Sequence, residues 1–407
     1  MRCGLLGQKL GHSYSPQIHG YLAGYSYALF EKEPNEIENF LKSDTFDGIN
    51  VTIPYKKSVL PYCHILSDRA QKLNAVNTVV RNKDGTLTGH NTDYFGFASM
   101  LARTGIDVAG KKVLVLGSGG ASATAVAVLE DCSADVTVIS RNGSDNYSNL
   151  KKHNDAALIV NTTPVGMYPN TGISPVDLSL FPVLEGVLDV IYNPARTQLL
   201  LDAEKRGLIT ENGLWMLVAQ AKESAEWFTG KTISDDKISE IYSFLRKRME
   251  NIILVGMPGC GKSTIGRLLA MKLGRDFVDA DDEISCQAGM AIPDIFATSG
   301  EGAFRKIETD VLHKLGMESG LVIATGGGCV TRPENYPLLH QNGKIIWLDR
   351  SIDLLPITGR PLSQQIKLTD MYHHRKPLYE TFSDVCVDNN GSIEETINYI
   401  LNWEGCK

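Results

Sequence analysis

The chain has 407 residues, 43% of them hydrophobic and 21% charged, and a formal charge of −7 at pH 7. That length calls for two or three domains, because one core rarely grows past about 250–300 residues. The acidic balance excludes a general nucleic-acid binder, and no apolar stretch approaches the roughly 18–20 residues of a membrane span. The opening Met1-Arg2-Cys3-Gly4-Leu5-Leu6-Gly7 is interrupted too early for a secretory leader. The eight cysteines form no C-x-x-C pair, which predicts reduced thiols in a cytoplasmic protein.

Strand-like and helix-like segments alternate along the whole chain, the pattern of α/β domains with mostly parallel sheets. Phe46 to Pro54 reads as a strand ended by proline, and Asp84-Gly85 between two alternating runs signals a hairpin over 76–90. Lys112–Gly117, Asp135–Ser140, Ala157–Thr163 and Gly186–Tyr192 are short apolar strands of a doubly wound nucleotide-binding unit. The helical stretch Leu214 to Phe228 is expected to pack back onto the first lobe. Ser234 to Arg248 has helical spacing, with Ile238, Ile241, Tyr242 and Leu245 on one face, and leads directly into a strand at Asn251. The expected domains are a substrate lobe over 1–105 completed by about 213–247, a nucleotide lobe over 106–212, and a separate domain over 250–407.

Two different phosphate-holding glycine loops follow apolar strands. Gly117-Ser118-Gly119-Gly120-Ala121 is a variant of the dinucleotide turn G-x-G-x-x-G. At the end of the next strand stand Ser140 and Arg141. A guanidinium there suits a 2′-phosphate, whereas an acid would accept from a ribose hydroxyl, so NADP is favoured over NAD. The second loop, Gly256 to Thr264, matches G-x-x-x-x-G-K-[ST]. Its backbone N–H groups, with the following helix N-terminus, form a triphosphate cradle. Lys262 is expected at the β- and γ-phosphates and Ser263 at Mg²⁺, with Gly259, Cys260, Gly261 and Thr264 completing the ATP site. In Phe277-Val278-Asp279-Ala280-Asp281, strand alternation would turn both carboxylates toward that cradle.

The first lobe carries Gly11-His12-Ser13-Tyr14-Ser15-Pro16, Asn50-Val51-Thr52-Ile53-Pro54-Tyr55-Lys56, Ala75-Val76-Asn77-Thr78 and Gly89-His90-Asn91-Thr92-Asp93. Asn212 to Gln220 adds a further segment. Short polar groups of this kind suit a polyhydroxylated substrate. As a set, across about residues 1–247, they resemble shikimate dehydrogenase. The resemblance implies that Ser13 and Ser15 bind the substrate carboxylate, and that Thr52, Asn77, Asp93 and Gln220 bind ring hydroxyls. It implies Lys56 and Asp93 as the catalytic pair. An ammonium held by a carboxylate can give the proton that a reduced ketone oxygen needs. Family members often carry an arginine soon after the glycine turn, where this chain has Ala123.

Beyond the second loop come Phe304-Arg305-Lys306-Ile307-Glu308, Gly326-Gly327-Gly328, Gly359-Arg360-Pro361-Leu362 and Arg375-Lys376-Pro377-Leu378-Tyr379. In this order the pieces resemble shikimate kinase over residues 251–407. The resemblance implies Asp281 as hydroxyl ligand and candidate base, and Asp279 reaching Mg²⁺ through water. Arg305 and Arg375, with Gly327 and Gly328, would fix the substrate, and Arg360 would sit on a lid over the transferring phosphoryl group. Kinases of this family usually carry another basic residue just before R-P-L, where this chain reads Leu354-Leu355-Pro356-Ile357-Thr358-Gly359. The expectation is weaker nucleotide binding with the chemical step retained.

Together the two resemblances imply a bifunctional enzyme using NADP(H), ATP and Mg²⁺ on 3-dehydroshikimate and shikimate. Small molecules are then the partners, with no nucleic acid and no membrane. Quinate as a substrate, the loss of catalysis by one half, the oligomeric state and direct transfer between sites all stay open at this level.

Overall fold

The computed structural model describes residues 1–11, 13–355 and 368–403. The chain divides into two compact units. One comprises residues 1–165, 174–192 and 202–244, and the other 166–173, 193–201 and 245–407.

The first unit opens with a mixed sheet of β1 (Arg2–Gly7), β2 (Ser26–Glu31), β3 (Gly48–Val51), β4 (Ile65–Leu66), β5 (Thr78–Arg81) and β6 (Leu87–His90), in the order β2-β1-β3-β5-β6-β4. β5 and β6 pair antiparallel around the Asp84-Gly85 turn, as the sequence predicts. The second sheet holds β7 (Lys112–Leu116), β8 (Asp135–Ile139), β9 (Leu158–Asn161), β10 (Gly186–Asp189) and β11 (Ile209–Asn212). It is parallel throughout, in the order β11-β10-β9-β7-β8. Its order reverses beside β7, so the carboxyl end of β7 is where a doubly wound sheet opens a crevice. The glycine turn leaves from that end.

The helices of this unit begin with α1 (Ser15–Leu22), α2 (Ile37–Lys42), α3 (Asp68–Leu73), α4 (Asp93–Thr104) and α5 (Gly120–Asp131). They are followed by α6 (Gln198–Lys205), α7 (Leu214–Thr229) and α8 (Asp236–Met249), of which α6 and α8 have residues assigned to each unit. α7 packs against α1 and α4, as expected of a segment returning to the first lobe. Gly96 sets how close α4 comes: a Cβ there would stand 2.8 Å from the Met216 carbonyl oxygen and 3.0 Å from Gln220 Cβ. On α8, Ile238, Ile241 and Leu245 are buried.

One side chain on α7 makes the unit's stability pH-sensitive. Glu223 pairs with Arg69 (Nη1–Oε1 2.9 Å), yet its Oε2 is buried without a hydrogen-bond partner. Burial pushes its carboxyl up to about 7, against the pull of Arg69. Its folded value thus lies above its unfolded one. The associated stability is fully present below about pH 4.5 and is lost as pH rises through 7. Glu223→Gln is therefore expected to raise the Tm relative to wild type at pH 8, with the gain shrinking by pH 5. The free-energy difference is on the order of 2–3 kcal/mol. Thermal unfolding at the two pH values checks this, and an equal offset at both would refute it.

The second unit contains β12 (Asn251–Val255), β13 (Phe277–Asp279), β14 (Val322–Ala324), β15 (Gly343–Asp349) and β16 (Val385–Asp388). The sheet is parallel, ordered β13-β14-β12-β15-β16. β12 is buried along its whole length, which is why it reads as an unbroken apolar run rather than an alternating one. Its helices are α9 (Lys262–Leu273), α10 (Ala280–Ala288), α11 (Ile292–Met317), α12 (Asn335–His340), α13 (Leu368–Phe382) and α14 (Ile393–Asn402). α11 kinks at Gly300, whose φ of 78° is not helical. Among the described residues no helix is long and apolar enough to cross a membrane.

Candidate active sites

In the first unit a cavity of about 440 Å³ gathers all seven expected substrate residues: Ser13, Ser15, Thr52, Lys56, Asn77, Asp93 and Gln220. His12 lies outside the described residues. Asp93 opens α4, where the positive helix end favours a carboxylate. Its Oδ2 accepts from Lys56 Nζ at 2.5 Å and its Oδ1 from Asn77 Nδ2 at 2.9 Å. Asn77 Oδ1 in turn accepts the Thr92 N–H at 2.7 Å. The lysine is thus aimed by a carboxylate that is itself held from both sides.

Beneath the cavity lies a buried polar layer that the motifs did not reveal. Ser224 Oγ of α7 contacts Thr78 Oγ1 (2.8 Å) and Thr92 Oγ1 (2.9 Å), and accepts from Asn50 Nδ2 at 2.8 Å. These links fasten α7, and Gln220 with it, to β3, to β5 just after Asn77 and to the residue before α4. Tyr192 also lines the cavity without having been singled out. Burial pushes its phenol above the ordinary range, so it stays a donor. No spacing signals Tyr192 or Ser224, because both come from distant segments and carry no motif.

Ala121 of the glycine turn lines the same cavity, which puts the dinucleotide loop beside the Lys56–Asp93 pair. Gly119 caps α5, and Ser122 Oγ donates to the Gly117 carbonyl at 2.8 Å, holding the turn closed. The Gly117 N–H reaches the Ile139 carbonyl at 2.8 Å, so the turn and the end of β8 are adjacent. Ser118, Gly119 and Gly120 are exposed. So is Arg141, while Ser140 N–H is tied to the Asp145 carbonyl at 3.2 Å. Open backbone N–H groups and a free-standing guanidinium fit a dinucleotide phosphate.

In the second unit a cavity of about 480 Å³ is lined by Gly259, Gly261, Lys262, Ser263, Thr264, Asp279, Asp281, Arg305, Gly327, Gly328 and Arg375. Gly256, Gly259 and Gly261 take φ of 147°, 87° and 99°, which turns the loop's N–H groups inward. Lys262 lies in the cavity, and its Nζ donates to the Gly256 and Met257 carbonyls at 2.9 and 3.0 Å, bracing its own loop. Cys260 is fully buried, its N–H on the Met257 carbonyl at 3.2 Å, and it does not line the cavity. Ser263 Oγ donates to Asp279 Oδ2 at 2.6 Å, a pair of hard oxygen donors fit for Mg²⁺. Arg360 lies outside the described residues.

One expectation needs correction. Asp281 does not extend the strand. β13 stops at Asp279, which caps α10 and accepts the Asp281 N–H at 3.1 Å. Both acids face the cavity because of the helix cap, and not through strand alternation.

Arg305 of α11 donates to Glu308 Oε2 at 2.7 Å and to Glu301 Oε1 at 3.1–3.2 Å. Glu308, which no motif assigned, is 1% exposed, and its Oε1 has no hydrogen-bond partner. Burial raises its carboxyl above the ordinary range, opposed by Arg305. Its spacing from Arg305, three residues on one helix face, was the available signal. A Cβ at 328 would stand 2.3 Å from Arg305 Nη2, so a larger residue there would push the guanidinium out of its place. Arg375 Nη1 and Tyr379 Oη both bind the Gly327 carbonyl, at 3.0 and 2.5 Å, which fixes the glycine turn.

The two sites define the class: a nicotinamide-nucleotide oxidoreductase followed by a P-loop kinase. Comparison with known proteins gives the families. The family model for shikimate kinase matches residues 258–404, and that for the shikimate dehydrogenase substrate binding domain matches residues 5–79. Shikimate dehydrogenase (NADP(+)) of Clostridium perfringens strain 13 is 37% identical over 267 residues, 60% of this chain and 98% of that protein. A chorismate mutase/shikimate 5-dehydrogenase fusion protein from Clostridium acetobutylicum superposes with a TM-score of 0.57 at 35% identity, covering 60% of this chain and 97% of that one. The Thermus thermophilus enzyme in complex with NADP(H) and shikimate gives 0.55 at 31% identity, over 60% and 99%. The chain belongs to the shikimate dehydrogenase family and carries a shikimate kinase domain behind it, so it serves the shikimate pathway with both enzyme activities.

Proposed function

We propose that the first unit reduces 3-dehydroshikimate to shikimate with NADPH, and that the second phosphorylates that shikimate at its 3-hydroxyl with MgATP. The observation that carries this is the gathering of a donor set around each of two cavities on one chain, with chemistries that follow one another. In the first cavity Ser13 and Ser15 bind the carboxylate, while Thr52, Asn77 and Gln220 hold ring hydroxyls. NADPH supplies the hydride when bound beside Ala121. Lys56 gives its proton to the ketone oxygen, and Asp93 keeps the ammonium aimed. Arg141 faces the cofactor's 2′-phosphate.

In the second cavity Arg305 and Arg375 fork onto the substrate carboxylate, a match of planar groups that an ammonium lacks. Asp281 takes the hydroxyl proton, and the Ser263–Asp279 pair holds Mg²⁺. Phosphoryl transfer asks mainly for positioning and positive charge, which Lys262 and the loop N–H groups supply. Supplying 3-dehydroshikimate, NADPH and MgATP to the full chain tests the reading. Loss of NADPH absorbance followed by ADP release in equal amount is expected. NADPH oxidation without ADP release would reject the kinase assignment, and no oxidation with active kinase would reject the dehydrogenase one.

A further inference from the structure

The substrate lobe has a second cavity, of about 400 Å³, which shares no residue with the one that holds Lys56 and Asp93. It lies between the end of α2, the segment 61–64 and the hairpin of β5 and β6. Neither proposed reaction uses it, yet its volume is that of a small-molecule site. Leu41, Pro61 and Leu87 give it an apolar side, and Tyr62 adds a ring.

The polar lining is one-sided. Lys42, His64 and Arg81 face the cavity, and no carboxylate does. Arg81 donates to four backbone carbonyls: Nε to Phe46 at 3.2 Å, Nη1 to Gly85 at 3.4 Å, and Nη2 to Leu41 and Ser43 at 2.9 and 2.7 Å. The Phe46 ring lies under its guanidinium, 4.7 Å away. These partners fix the group in place but carry no net charge, and among the described residues no carboxylate pairs with it. One N–H on Nη1 is left over. His64 supplies a second donor. The Leu87 N–H donates to its Nδ1 at 3.1 Å, which places the ring proton on Nε2. Burial pushes the Cys63 thiol up to about 11, so it adds no negative charge. Glu38 accepts from Lys42 and Asp84 from Thr86, both at 2.6 Å, and neither acid lines the cavity. A cleft lined by one sign of charge concentrates the field on an ion of the other sign.

We infer that this cavity is a second binding site of the lobe, for a small carboxylate carried on an apolar ring. The carboxylate accepts from Arg81 and from His64 Nε2, with the Lys42 ammonium at the rim. The ring packs against Leu41, Pro61 and Leu87. Both halves of such a ligand are needed: the exposed cations alone are screened by salt, and the apolar side alone prefers no charge.

Ligand-observed NMR titration of the full chain with sodium benzoate tests this, in excess shikimate and MgADP to fill the other two cavities. Benzoate is expected to bind saturably under those conditions. Benzyl alcohol has the ring without the charge, and acetate the charge without the ring; each should bind about tenfold more weakly. Arg81 anchors the surrounding backbone, so the variants spare it. Lys42→Glu, and His64→Asn with an acceptor kept for the Leu87 N–H, should each weaken benzoate about threefold or more. A wild-type melting temperature reports that each variant is folded. Displacement of benzoate by shikimate or MgADP would overturn the inference, by placing it in a cavity already described. Equal affinity in wild type and both variants would overturn it as well. So would benzyl alcohol or acetate binding as tightly as benzoate, since the site would then read only the ring or only the charge. The variants touch neither of the other cavities, so the result stands apart from both enzyme readings.

Discussion

Lys56→Ala is expected to lower the turnover number for 3-dehydroshikimate reduction by about 10²–10⁴-fold, the usual cost of losing a positioned general acid. KM should move only a few-fold. The serines and amides that line the cavity remain, and the layer under Asp93 does not depend on the lysine. Asp93 keeps its bond from Asn77 at 2.9 Å, so the pocket retains its shape when the ammonium is removed. Steady-state kinetics followed by NADPH absorbance separates the two parameters. A turnover number that matched wild type would remove Lys56 from the reaction. A rise in KM with turnover preserved would make it a binding group only.

Lys262→Ala should lower kinase turnover by about 10²–10³-fold, the scale seen when one preorganised donor to developing charge is lost. Lys262 braces the carbonyls of Gly256 and Met257, and in the proposed kinase reaction it meets the phosphates. The variant should therefore also weaken MgADP. The dehydrogenase rate of the same preparation should be unchanged, which makes it an internal control. Measuring ADP release and NADPH oxidation on one sample checks both statements. Undiminished ADP release would place the charge stabilisation elsewhere in the cradle.

Local features of the fold were the most legible in the sequence. The apolar run of β12 and the Gly256–Thr264 loop identify each other, because a fully buried parallel strand and a glycine turn have few alternatives. The hairpin at Asp84-Gly85 and the helix at Leu214 were equally plain. The motif residues of the substrate cavity were legible as a set only through their resemblance to a family. The same reasoning failed at Asp281, where a period of two was extended past the end of a strand into a helix cap. Ser224 and Tyr192 were missed because each acts through partners far away in sequence, which leave no local pattern. Glu308 did leave one, its place three residues after Arg305 on one helix face, but only its burial shows that the pair matters. Glycine told a similar story: the need for Gly96 comes from a backbone carbonyl 2.8 Å from an imagined Cβ, which no single sequence announces.

The bracing of Gly256 and Met257 by Lys262 has a thermodynamic consequence. Both residues are buried, so their carbonyls have no water to turn to once the amine is gone. An orphaned interior acceptor costs about 1–3 kcal/mol. The group that serves the proposed transfer thus also carries part of the loop's own stability, and Lys262→Ala should melt at a lower temperature than wild type.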